Sequence, residues 1–378
     1  MKIICTKNDL LKGVNIALRA VPVRSTMSIL ECILIDARET DIKLTANDME
    51  LGIETSISGD IIERGRIAIE ARFLSDIVRK LPDSEVTIET DDSYNATISC
   101  EKSVFNIPGK SGEDFSYLPY IERDKHITLS QFALKETIRQ TIFSIGDSES
   151  NKIMKGELFE VTNNNLKVVS LDRYRVSIRN VTLNNSYEPV SVIVPGKTLS
   201  EINKILSGEA DSDVNVFFSE NHIIFEFENT VVVSRLIDGE YFKINQMLSK
   251  DFQTKIEINK KELLDCIDRA TLFVKEGNKN PVIFNITDGS LKINIVSPVG
   301  KMNEEIDINK EGSDIRIGFD AKFLIDALRV IDDEVLSMYY MNAKAPCTIK
   351  DDKENYIYLI PVSYTHLRAH KTLSDLVC

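Results

Sequence analysis

The side chains best arranged for chemistry in this chain are three pairs of basic residues, each pair seven positions apart: Arg72 with Arg79, Lys197 with Lys204, and Lys322 with Arg329. Seven residues bring a helix back to within ~20° of the same face, so each pair puts two cations on one stripe. Such a stripe suits phosphate, which takes point charges without reading sequence. The alternative is a solvated face salt-bridged by Asp76, Glu201 and Asp326, each four residues after the first cation. That alternative covers the second cation of each pair, which sits well near a helix C-terminus. It covers the first less well, because a cation in a first turn opposes the macrodipole by ~0.3–1 kcal/mol. Three repetitions of an unfavoured cation favour an external anion.

Catalytic constellations are missing. The chain holds four His and no Trp, and has no G-x-S-x-G, Walker A or G-x-G-x-x-G motif. His126 and His222 stand alone and read as surface or edge-strand residues. His366 and His370 have the i,i+4 spacing of a helical metal pair but lie in an unusual C-terminal segment, where metal binding is disfavoured. The acidic groups Asp48-Met49-Glu50 and Asp91-Asp92 read as solvated loops. Without a convergent nucleophile, base and oxyanion set, an enzyme is the least favoured reading.

A formal charge of −13 argues against a wholly basic nucleic-acid binder but leaves room for a basic patch on an acidic body. Six scattered cysteines without a C-x-x-C pair fit reduced thiols in the cytosol. The N-terminus carries no signal-peptide pattern, and no apolar run approaches the ~18–20 residues of a membrane span. The expected location is therefore cytoplasmic.

The elements that must carry the cations follow from a short pattern that occurs six times. A β-branched residue is followed at +2 by an apolar residue and at +7 by Leu, starting at Ile3, Ile67, Ile127, Val192, Ile256 and Ile317. Alternation passing into helical spacing reads as a strand feeding a helix. The second, fourth and sixth copies recur at an offset of 125 residues and carry the basic pairs. Opposite those pairs lie Leu74, Ile77 and Leu81, then Leu199, Ile202 and Leu206, then Leu324, Ala327 and Ile331. Six units in three pairs predict an α+β chain of three similar domains, each of two strand–helix–strands units with helices on one sheet face. The expected domains are 1–121, 126–249 and 254–362. Strands are expected at Ile33–Asp36, Ile42–Ala46, Val86–Glu89, Ala96–Cys100, Val104–Ile107, Leu166–Ser170, Ile223–Phe227, Val231–Ser234, Val282–Ile286, Leu291–Ile295 and Tyr356–Ile360. Turns are expected at Asn163-Asn164-Asn165, Asp238-Gly239 and Asp288-Gly289, with antiparallel hairpins between strands.

Over residues 1 to about 362 the chain resembles the bacterial DNA polymerase III β subunits, the replicative sliding clamps. The segments that carry the resemblance are M-K-I-I-C-T-K-N-D-L-L, R-S-T-M-S-I-L, V-V-S-L-D-R-Y-R-V, V-I-V-P-G-K, V-V-V-S-R-L-I-D-G-E-Y and Y-L-I-P-V. The resemblance implies a DNA clamp fold in which each chain forms half of a head-to-tail homodimeric ring around duplex DNA. The basic stripes would face inward, joined by the loop residues Arg24 and Lys152. It also implies a processivity factor with no metal or cofactor. DNA polymerase III α subunit, the clamp loader, other polymerases and repair proteins would dock by short Q-L-x-L-F-like motifs.

By position, the implied peptide pocket comprises Met154, Leu171, Arg173, Tyr174, Arg175, Val176, Phe242, Met247, Pro346, Ile360, Pro361 and Val362. The chain departs from the family in reading Asp172-Arg173-Tyr174-Arg175-Val176 where a D-G-H-R-L-like stretch is frequent, and Phe242 where a Pro is common. The implied subunit interface places Phe105 and Ile107 on one exposed edge and Leu272 and Phe273 on the other. The competing reading from another class is a pseudo-symmetric protein-interaction scaffold with no DNA in its hole. Residues 363–378 run past the family's usual end and read as a non-native extension, the functional alternative being a regulatory tail over the pocket.

Overall fold

The computed structural model describes residues 1–363 apart from 117, 147–150, 245–246, 249–250 and 275–279. The segment read as an appended extension, with His366 and His370, lies outside the described residues except for Ser363.

All six strand-to-helix passages form. Strand Lys2–Thr6 feeds helix α1 (Lys7–Ala17), Arg66–Glu70 feeds α2 (Ala71–Lys80) and Lys125–Ser130 feeds α3 (Gln131–Thr141). Val176–Pro195 feeds α4 (Gly196–Ile205), Thr254–Asn259 feeds α5 (Lys260–Thr271) and Ile315–Phe319 feeds α6 (Ala321–Val330). The repeated leucines Leu10, Leu74, Leu134, Leu199, Leu263 and Leu324 are each 0% exposed, so the pattern marks the helix position that anchors each unit to its core. Helix starts are fixed by oxygen acceptors: Thr6 accepts from Asp9 N, Glu70 from Arg72 N and Phe73 N, Asn259 from Glu262 N, and Asp320 from Lys322 N.

The chain divides into two compact units. The first comprises Met1–Lys135 with Lys197–Ile237; the second comprises Glu136–Gly196 with the described residues from Asp238 onward. In the first unit a five-stranded sheet ends on the edge strand Ser103–Pro108. A nine-stranded sheet there joins Leu51–Ile57 to Thr230–Arg235 in antiparallel register, Leu51 opposite Ser234 and Gly52 opposite Val233. In the second unit a seven-stranded sheet joins Val176–Pro195 to Tyr356–Ile360, Val176 opposite Leu359 and Ser177 opposite Tyr358. These two junctions repeat each other at the 125-residue offset. A four-stranded sheet in the second unit has Gly300–Asp307 at its edge.

Several expectations change. Asn163-Asn164-Asn165 is not a turn: it lies inside the 16-residue strand Gly156–Leu171, where the register against Val176–Pro195 shifts around Asn163. Asn163 takes a φ of 54°, so the amide run makes a bulge, which Asn tolerates as it tolerates a turn. Ile107 is not exposed on its edge. Strand Ser103–Pro108 alternates, turning Ile107 inward at 5% exposure and Val104 outward at 60%. Leu272 is exposed, but it caps the C-terminus of α5 rather than lying on a strand. Phe273, half-buried, packs against the core beside it.

One buried acid stands out in the second unit. Glu157 is fully buried, accepts a hydrogen bond from Thr141 Oγ1 at 3.0 Å, and its Oε1 has no partner. Burial pushes its carboxyl up to about 8 from an ordinary 4.5, the Thr141 bond opposing this only in part. The folded chain thus keeps a proton that the unfolded chain releases. Stability from this group is complete below the unfolded value and is lost as pH rises through the folded one. Thermal melts of wild type and Glu157→Gln should therefore diverge as pH rises from 4.5 to about 8. The variant gains relative stability on the order of a few kcal/mol by the upper end.

Candidate peptide pocket and cationic helix faces

The pocket is built where one strand of the second unit ends and the next begins. Strand Gly156–Leu171 stops, residues 172–175 turn, and Val176 opens the next strand. Asp172 makes the turn: its Oδ1 accepts from Tyr174 N at 2.7 Å and Arg175 N at 2.9 Å. Arg175 then locks it. Its Nε donates to Asp172 at 3.1 Å, Nη1 to Asp326 at 2.7 Å and Nη2 to the Phe143 carbonyl at 2.6 Å. The guanidinium lies 5.3 Å from the Phe143 ring centre and 4.9 Å from that of Phe323. Tyr174 stacks on Phe323 at 6.0 Å and remains 60% exposed at the rim.

Around this turn opens a cavity of about 400 Å³. Leu171, Val176 and Leu359 make a buried apolar floor, and Met154, Phe242, Met247 and Pro346 make the walls. Asp172, Arg173, Tyr174 and Arg175 complete the rim. Phe242 is braced edge-on by Tyr241, whose hydroxyl donates to the Val169 carbonyl at 3.1 Å. Nine residues expected in the pocket therefore meet there. Ile360, Pro361 and Val362 do not line it: Ile360 is buried in the core, and Val362 packs on that core and bridges to Phe319. Asp172 and Leu359 were missed. Asp172 sat inside the quoted motif, and Leu359 is adjacent to an expected residue, one step out of phase on its strand.

The three cationic pairs are all exposed, and none of the first cations makes the i+4 salt bridge of the alternative reading. Arg72 donates to the Val23 carbonyl at 3.2 Å, in the loop that carries exposed Arg24. Lys197 pairs with Asp48. Asp76 pairs with Arg79 at 3.7 Å, Glu201 with Lys204 at 2.7 Å, and Asp326 serves Arg175. Arg329 lies 3.7 Å from Asp268. The carboxylate caps Glu70 and Asp320 sit at the same helix ends as Arg72 and Lys322 and oppose the macrodipole penalty, so those cations need an external anion less than their position suggested. Lys152 is exposed in the 3₁₀ turn Lys152–Lys155.

Burial pushes the Cys5, Cys266 and Cys347 thiols up to about 12, which keeps them protonated and inert. Among the described residues no group of three or more His, Cys, Asp or Glu could hold a metal. No described helix is long and apolar enough to cross a membrane.

Models of the N-terminal, central and C-terminal domains of the DNA polymerase III beta subunit match residues 1–119, 128–243 and 245–363. The chain belongs to this family. It is 31% identical to the beta sliding clamp of Staphylococcus epidermidis over 374 residues, covering 96% of this chain and 99% of that one. A crystal structure of a putative DNA polymerase III beta subunit from Eubacterium rectale is 64% identical, with a TM-score of 0.93, over 96% of this chain and 99% of the other. The DNA polymerase sliding clamp of Bacillus subtilis is 32% identical, with a TM-score of 0.94, over 97% and 100%. The fold is thus the three-domain α+β clamp fold. The function is that of a β sliding clamp, a non-catalytic processivity factor associated with DNA polymerase III.

The lock on the pocket turn can be tested directly. Arg175→Ala leaves Asp172 and Asp326 without their shared cation and should cost on the order of 3 kcal/mol in urea unfolding. Arg175→Lys should recover only part, since an ammonium cannot span the same three acceptors as a planar fork.

Proposed function

We propose that two copies of this chain close head to tail around duplex DNA and hold partner proteins by the cavity beside Tyr174. The three domains are read as 1–121, 126–249 and 254–362. Edge strand Ser103–Pro108 of one copy meets the edge strand Gly300–Asp307 region of the other, near Leu272 and Phe273. The observation that carries the partner reading is the cavity itself. A buried apolar floor, a methionine and aromatic wall and a rigid polar turn suit an extended peptide with bulky apolar side chains. Partners are the DNA polymerase III α subunit, the clamp loader, and other polymerases and repair proteins bearing Q-L-x-L-F-like motifs. Replacing Val176 and Met247 together by Asp should abolish calorimetric binding of a QLSLF peptide. The variant should keep its sedimentation coefficient; binding at wild-type strength would place the partner site elsewhere.

DNA contact is proposed for Arg24, Arg72, Arg79, Lys152, Lys197, Lys204, Lys322 and Arg329. Its support is the recurrence of exposed cations at equivalent helix positions, together with the family's processivity role. Phosphate contacts release counterions, so each one removed lowers the steepness of the log–log salt dependence by ~0.9. Changing Arg72, Lys197 and Lys322 to Gln should shorten retention on closed circular DNA and flatten its salt dependence equally for all sequences. An unchanged salt slope would remove this face from the DNA path.

A further inference from the structure

The outer wall of the peptide cavity is also the inner wall of a second one. Met247, Pro346 and Leu359 line both the cavity beside Tyr174 and a neighbouring cavity of about 330 Å³. The second chamber is completed by Phe252, Tyr339, Met341, Ala345 and Thr348, with Asp251 and Lys350 at its margin. Phe252 and Tyr339 meet edge to face at 5.4 Å, and Phe252 is 40% exposed. Lys350 and Lys255 lie 5.4 Å and 5.8 Å from the Tyr339 ring centre. Each already pairs with a glutamate: Lys350 with Glu354 at 2.6 Å, and Lys255 with Glu257 at 2.9 Å. The lysines therefore hold the tyrosine ring more than they call for an anion.

Strand register ties the two chambers to one track. Val176 stands opposite Leu359, Leu359 opposite Thr348, Thr348 opposite Tyr339, and Tyr339 opposite Lys255. Directly paired residues share a face, so this row runs straight from the floor of the first cavity through the second. Two strand spacings separate the Val176–Leu359 pair from the Thr348–Tyr339 pair, about 10 Å. An extended peptide in a polyproline-II-like path advances ~9.3 Å in three residues and returns to the same side.

We propose that the second chamber is part of the same docking site and takes a second bulky, uncharged apolar side chain of the partner peptide, three residues from the one that fills the cavity beside Tyr174. This rests on the peptide reading of the first cavity. Its occupant follows from continuity: the chambers share a wall and a sheet face, and the second offers methionine and aromatic surface to an apolar group. Partners with the longer motif would outcompete those with the short one, so the second chamber ranks partners on one clamp.

Fluorescence anisotropy with five labelled, end-capped peptides tests it: QLSLF, QLSLFSSL, LSQLSLF, and the serine-only counterparts QLSLFSSS and SSQLSLF, each leucine lying three residues from the nearest apolar residue of the motif. One of the two leucine extensions should bind about tenfold tighter than its serine counterpart. That gain should vanish in Phe252→Ala, and independently in Ala345→Arg, which fills the chamber from its margin. Both variants should bind QLSLF like wild type. A failure of QLSLF itself to bind would overturn the first-cavity reading. Normal QLSLF binding with no gain from either extension, or a gain that survives both variants, would overturn the second chamber.

Discussion

Six leucines, one per repeat and each sealed from solvent, are the constraint on which the rest depends. Each sits on the first turns of a helix that follows its strand directly or after a single capping residue, so its burial sets both the helix's rotation and its distance from the sheet. A single buried leucine stabilises by ~1.5–3 kcal/mol. The more important consequence is geometric. With Leu74, Leu199 and Leu324 inward, Arg72, Lys197 and Lys322 can only point outward. The cationic faces are thus a by-product of core packing, and they repeat because the core does.

The pocket depends on a different kind of fastening. Arg175 is 7% exposed yet charged, and is tolerated because two carboxylates and a carbonyl take its donors while Phe143 and Phe323 cover its faces. Buried ion pairs of this kind give little net stability, yet losing one partner is costly because the other charge is left unpaired, and here that holds one arrangement. Here the arrangement is that of a short turn between two strands, a segment with few apolar contacts of its own. The rim is thus fastened by bonds of its own chain, so a partner meeting it would pay less to order it.

Local patterns were legible in the sequence, and choices between faces or partners were not. The strand-to-helix passages, the buried opposite faces of α2, α4 and α6, and strands such as Tyr356–Ile360 follow from periodicity alone. Ile107 was misplaced because a period of two says that neighbours diverge, not which of them turns inward; the strand's place at the sheet edge decides that. The Asn run was misread because its residues suit a bulge as well as a turn. Asp326 lies four residues after Lys322, the spacing of a helical salt bridge, yet it serves Arg175, a more buried partner distant in sequence. The cavity residues were found by resemblance rather than by spacing, since a site assembled from Met154, Phe242 and Pro346 leaves no local periodic trace.

The division of the chain also has a temporal side. Segment Leu51–Ile57 completes its sheet only with Thr230–Arg235, and Val176–Pro195 only with Tyr356–Ile360. A ribosome releases these partners in the order opened, opened, closed, closed, so residues 136–196 emerge while the first unit still lacks its closing strands. The growing chain must then carry two unsatisfied strand edges at once, the second until the final strand is made. Such non-local closure is slow and exposes sticky edges. The edge of Val176–Pro195 therefore stays open to other chains until Tyr356–Ile360, almost the last strand made, arrives to cover it.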